Sequence, residues 1–162
     1  GIKIHPPNML MRPDAPEAMR LYAWCGEVGI PVFWHCGPTG IEPKSSQARA
    51  QVEFYERPLA EHPGTIFILG HSGALQHRQA LTLQRKYANA YLDISSLGLQ
   101  QIDDLLGEGD VDRILFGSDW PFYHPVLPLA KLLVATEDRP ALRRKILYDN
   151  AARLMERFGK PD

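Results

Sequence analysis

Four short apolar runs in this chain each end in a side chain that can bind a metal ion or move a proton. They are Ile2-Lys3-Ile4-His5, Val32-Phe33-Trp34-His35, Ile66-Phe67-Ile68-Leu69-Gly70-His71 and Ile114-Leu115-Phe116-Gly117-Ser118-Asp119. Neutral imidazoles and a carboxylate suit borderline divalent cations, zinc above all, with manganese or iron as other candidates. Such an ion would lower the pKa of bound water to ~7. A further imidazole outside the metal's shell would move a proton to or from that water or a substrate. A lone histidine at a strand end is more often structural than functional, but three on successive runs plus a terminal aspartate read as a site.

Apolar runs of this length are what strands covered on both faces look like. In a barrel of parallel strands the site forms at their carboxyl ends, so the three imidazoles and Asp119 are expected around one mouth. Strand alternation groups His35 with Phe33, and places Val32, Trp34 and Cys36 on the opposite face. The same count groups Lys3 with His5, His71 with Leu69 and Phe67, and Asp119 with Gly117 and Leu115. Gly117 would leave space beneath the carboxylate. In Tyr91-Leu92-Asp93-Ile94-Ser95, Asp93 and Ser95 share a face, to reach the pocket floor or to bridge neighbouring strands. In the loop after Asp119, Trp120 and Phe122 are candidate walls for an apolar substrate, or barrel-top packing, and His124 is a candidate substrate contact.

Strands and helices alternate along the chain. A helix is expected over 13–28, with Asp14 as cap and Glu17 completing a capping box, then a strand ending at His35 and a loop over 37–46 rich in Gly, Pro and Ser. Another helix follows over 47–61, a strand over 65–70, a helix over 75–87 and a strand over 90–95. A short helix over 99–106 leads to the strand ending at Asp119, and helices over 129–135 and 140–158 close the chain. Five strands alternating with helices mean a parallel sheet, open or part of a barrel. No glycine-rich phosphate motif follows any strand, which removes the usual nucleotide-binding reason for an open sheet.

The 162 residues are 44 % hydrophobic and 23 % charged, with 18 Lys and Arg against 19 Asp and Glu. A net charge of −1 without basic clusters speaks against nucleic acid or an anionic membrane as partner. Two cysteines make no disulfide framework, and a cytoplasmic setting is expected. Gly1 enters an apolar strand directly, which suggests a preceding portion of polypeptide.

Six segments carry a family resemblance: Gly-Ile-Lys-Ile-His-Pro (1–6), Pro-Val-Phe-Trp-His-Cys-Gly (31–37), Gly-His-Ser-Gly (70–73), Tyr-Leu-Asp-Ile-Ser-Ser (91–96), Ile-Leu-Phe-Gly-Ser-Asp-Trp-Pro-Phe (114–122) and Ile-Leu-Tyr-Asp-Asn-Ala-Ala-Arg-Leu (146–154). In order and spacing the chain resembles strands four to eight and the closing helix of the amidohydrolase-related metal-dependent hydrolases. That branch includes non-oxidative decarboxylases and lactonases. The resemblance implies one domain over 1–162, the C-terminal part of a (β/α)8 TIM barrel whose N-terminal strands are absent. It implies that His35 ligates a divalent metal, most simply zinc with manganese as the other choice. His71 would be the acid/base imidazole, and Asp119 would ligate the metal or orient the attacking water. His5 would line the pocket, with Lys3 a second lining residue.

The family's first-strand His-x-His pair does not occur here. His35 and Asp119 alone are too few ligands for tightly held zinc, and five strands leave two edges open. An N-terminal segment or further copies of the chain are expected to complete the barrel. The implied activity is hydrolysis of a small lactone, ester or amide; the alternatives are non-oxidative decarboxylation of an aromatic or dienoic acid, or a non-catalytic half-barrel.

Overall fold

The computed structural model describes residues 1–158, so the last four residues of the expected domain lie outside the described residues. Five strands form one parallel sheet in chain order: β1 (Ile2–Ile4), β2 (Val32–His35), β3 (Phe67–Gly70), β4 (Ala90–Asp93) and β5 (Ile114–Leu115). The helices are α1 (Pro6–Met9), α2 (Pro16–Glu27), α3 (Lys44–Gln47), α4 (Glu56–Glu61), α5 (His77–Lys86), α6 (Leu99–Glu108), α7 (Val126–Ala135), α8 (Pro140–Arg144) and α9 (Asn150–Phe158). No helix among the described residues is long and apolar enough to cross a membrane.

Register explains the two faces. Ile4, Trp34, Leu69, Leu92 and Ile114 stand side by side across all five strands and are buried in the main core. Trp34 anchors that core: its ring stacks on Phe67 at 4.2 Å and its indole N–H donates to the Tyr22 hydroxyl of α2 at 3.0 Å. On the other face Lys3, Phe33, Ile68 and Tyr91 form the neighbouring row. There Ile66, Ile68, Leu115 and Leu154 of α9 make a smaller second core with Phe33 and Tyr91 packed against it. Apolar burial on both faces is why the strands read as nearly continuous apolar runs.

Several expected elements differ, each because another hydrogen bond outbids the expected pattern. The helix expected over 47–61 is broken into α3, a 3-10 turn (Val52–Tyr55) and α4. Gly37 N–H donates to Ala50 O at 3.0 Å, and the Gln76 amide oxygen accepts from Val52 N–H at 2.9 Å, so the chain dips inward between the helical pieces. Asp14 does not cap α2. It pairs with Arg12 at 2.5 Å, and the helix starts on Pro16 with Ala15 at the cap. The strand expected to end at Asp119 stops at Leu115, because Phe116 N–H turns away to Ile146 O at 3.2 Å.

The asparagine of the Asn-Ala-Ala-Arg-Leu segment ties the end of the chain to the sheet. Buried Asn150 donates through Nδ2 to Val111 O and Ile114 O, both at 2.7 Å. Asn150→Ala leaves both carbonyls without that donor. It should cost about 2 kcal/mol of stability in urea unfolding, whereas a loss indistinguishable from that of an exposed-site alanine would refute the clamp.

Candidate active site

The carboxyl ends of β1 and β2 deliver their imidazoles as the alternation requires. Lys3 pairs in register with Phe33, and two residues on, His5 and His35 stack face to face with ring centroids 4.0 Å apart and planes 12° apart. The His71 ring meets His35 edge-on at 4.9 Å. Lys3, His5, His35, His71 and Asp119 all line one open cleft of about 510 Å3. The expected convergence is therefore what the structure shows for these five residues.

His71 arrives by a different route from the one expected. Phe67 and Leu69 are buried in the main core, so a continued strand would point residue 71 into the helix layer. Instead the strand ends at Gly70, and His71 and Ser72 adopt left-handed backbone with φ 58° and 44°. That turn swings the imidazole to the mouth, and Asp93 holds it. Asp93 Oδ2 accepts the His71 backbone N–H at 3.0 Å, and Asp93 O accepts the Ser72 hydroxyl at 2.7 Å. Ser95 donates its N–H to Asp93 Oδ1 at 3.1 Å and its hydroxyl to Asp93 Oδ2. The same hydroxyl oxygen lies 3.0 Å from His71 Nδ1. Of the two readings open for Asp93 and Ser95, bridging neighbouring strands is the one seen.

Gly117 does leave space, but Asp93 takes it: a Cβ there would stand 2.0 Å from Asp93 Oδ1. Asp119 also leaves strand geometry, with φ 60°, and accepts from the Ser96 hydroxyl at 3.2 Å.

Trp120 and His124, expected to contact substrate, do not line the cleft. A turn closed by Phe122 N–H to Asp119 O at 2.9 Å rotates the loop, so that of the expected walls Phe122 faces the mouth, joined by Tyr123. Trp120 is 66 % exposed and packs edge-on against His124, whose Nδ1 accepts from Val126 N–H at the start of α7. Sequence reasoning missed Glu42, whose Oε1 lies 3.0 Å from His35 Nε2 while Oε2 accepts from Thr39 N–H at 3.2 Å. The available signal was that Glu42 is the one carboxylate of the 37–46 loop.

Protonation follows from these contacts. Burial lowers the His35 pKa to about 4, and His5 and His71 nearby push the same way. Burial raises the Glu42 carboxyl, but hydrogen bonds from Thr39 and His35 outweigh it and keep Glu42 below its ordinary value. An ionised carboxylate only accepts, so His35 carries its proton on Nε2 and keeps the Nδ1 lone pair free. Burial, then Lys3, lowers His5. Lys3 is itself lowered by burial, against the opposing pull of Asp93 and Asp119, and its ammonium sits 4.2 Å over the Phe33 ring. Among the described residues Lys3 makes no ion pair.

The metal donors are incomplete. Among the described residues no group of three or more His, Cys, Asp or Glu side chains is placed to hold an ion. His35 and Asp119 are the two candidates at the mouth, which is too few for a closed site.

The amidohydrolase family pattern matches residues 1–157. The chain belongs to this family. It is 30 % identical to the γ-resorcylate decarboxylase of Rhizobium sp. (strain MTP-10005), over 96 % of this chain and 50 % of that protein. Among solved structures it resembles an uncharacterized TIM-barrel protein of Bordetella bronchiseptica, with TM-score 0.68 and 25 % identity over 93 % of this chain and 54 % of that one. A dihydroxybenzoic acid decarboxylase from Polaromonas sp. JS666, solved with manganese and the inhibitor 2-nitroresorcinol, gives TM-score 0.67 at 19 % identity over 90 % and 55 %. The chain thus spans about half the length of these relatives, and its parallel α/β sheet is consistent with part of an amidohydrolase barrel.

The depressed His35 pKa fixes a pH dependence. Between pH about 4 and 6.5 the unfolded chain binds a proton at residue 35 that the folded chain refuses, so stability rises with pH across that window. Urea midpoints of the metal-free protein should climb through it, and less steeply in His35→Gln; equal slopes in both proteins would refute the assignment.

Proposed function

We propose that the barrel to which this chain contributes removes CO2 from an aromatic carboxylic acid without a redox step. The observation that carries the reading is that a hydrogen-bonded imidazole, His71, and the ammonium of Lys3, which has no ion-pair partner among the described residues, open onto one cleft. Ile41, Leu75 and Phe122 give that cleft apolar walls. Lys3 attracts the carboxylate, and the walls seat the ring. His71, as imidazolium, passes a proton from Nε2 to the ring carbon bearing the carboxylate. The C–C bond then breaks, its electron pair restores the aromatic ring, and CO2 leaves, while His71 takes a new proton from solvent.

His35 and Asp119 would supply two donors to a divalent metal, zinc or manganese, with the remaining donors coming from outside the described residues. Such an ion contributes charge stabilisation at substrate oxygens. Hydrolysis of a lactone, ester or amide, the leading expectation from sequence, would use the same His71 nitrogen as a base. The 30 % identity to a decarboxylase favours the first reading.

The test is CO2 release from γ-resorcylate by the full-length protein, set beside turnover of small lactones. Decarboxylation with inert lactones is expected; lactone hydrolysis without CO2 release would overturn the proposal. His71→Asn should lower kcat roughly 100- to 10,000-fold. Lys3→Met should act mainly on KM, raising it about 10- to 100-fold for the loss of one charge-assisted contact.

A further inference from the structure

We propose that Asp93 and Ser95 are positioning residues that fix the tautomer and direction of the His71 ring, and that Gly117 is glycine because Asp93 needs its space. The proposal rests on the reading above only in taking His71 as the group that moves the proton.

Hydrogen-bond accounting assigns the tautomer. A serine hydroxyl has one proton, and a carboxylate oxygen accepting it offers none in return. Ser95 therefore spends its proton on Asp93 Oδ2, and its oxygen faces His71 Nδ1 at 3.0 Å as an acceptor. His71 must then carry a proton on Nδ1, which leaves Nε2 as the nitrogen that gains and loses the catalytic proton. His71 and Ser95 are both buried, so bulk water does not compete for the contact.

A purely structural role for Asp93 would be to anchor the left-handed turn. The backbone bonds from His71 N–H and Ser95 N–H already do that. The Ser95 hydroxyl adds nothing to the turn; what it adds is the link between carboxylate and ring. Gly117 closes the arrangement, since a Cβ would sit 2.0 Å from Asp93 Oδ1 and 3.0 Å from its Cγ.

The experiment is 15N NMR of histidine-labelled full-length protein, with His71 assigned by difference against His71→Asn. Wild type should show the Nδ1–H tautomer. Ser95→Ala should release the ring to a mixture of tautomers and lower kcat roughly 10- to 100-fold, as loss of an orienting partner does, with KM held. Ser95→Thr keeps the hydroxyl and should restore both readouts. Gly117→Ala should displace Asp93 and reproduce the Ser95→Ala spectrum. Urea midpoints near wild type for the two Ser95 variants establish that the fold is intact. An unchanged tautomer in Ser95→Ala would overturn the proposal. Because the spectrum needs no turnover, a tautomer shift in a protein inert towards aromatic acids would sustain the positioning role while removing the proposed reaction.

Discussion

The site depends on one carboxylate, that of Asp93. It receives three donors from two residues, and one of them is the backbone N–H of His71 just past the end of β3. Two consecutive non-glycine residues, His71 and Ser72, hold left-handed backbone, at a cost of roughly 1–2 kcal/mol each. The bonds to Asp93 offset that cost and lock the turn. Space is provided on both sides: at Gly70 a Cβ would meet Trp34 O at 2.4 Å, and at Gly117 it would meet Asp93 itself. Without the turn, strand alternation would send the His71 imidazole into the helix layer and leave the mouth without its third ring.

The parts of this arrangement that were legible in the sequence are those governed by a period of two. Ile4, Trp34 and Ile114 could be placed in one layer, and Lys3, His5, Phe33 and His35 in the other, because parallel register preserves alternation from strand to strand, whereas Leu69, grouped with His71 at the mouth, lies in the helix-facing layer. Alternation failed where strands ended early. His71 and Asp119 both sit at positive φ beyond β3 and β5, and their faces are set by Asp93, Ser96 and Ile146, all distant in sequence. Asp93 and Ser95 were recognisable as a shared face, but their target was not, since nothing local points from β4 to a turn two dozen residues earlier. Trp120 and His124 show the same limit, because a single turn hydrogen bond turns them away while leaving the expected Phe122, with Tyr123, at the mouth.

The electrostatics of the mouth follow from crowding. Two imidazoles stacked at 4.0 Å repel if both are charged, and a lysine beneath them adds to the repulsion. Burial already disfavours the cations, so His5 and His35 are neutral near pH 7. Neutrality is the state in which imidazole offers a lone pair to a metal. For His35 the Glu42 contact decides which lone pair that is. Glu42 comes from the loop before α3, so a loop residue sets which nitrogen of a strand residue keeps its lone pair free.

On the proposed reading, the two halves of the chemistry are unequally represented in these strands. The proton-moving half is complete: His71, its Ser95 partner, Asp93 and the Gly117 gap come from β3, β4 and the segment after β5, which are neighbours in the sheet. The charge-stabilising half is not, since His35 and Asp119 lie on opposite sides of that group and no third donor joins them among the described residues. On that reading the order of the strands in the sheet, more than any single residue, would separate the proton donor, His71, from the metal ligands, His35 and Asp119.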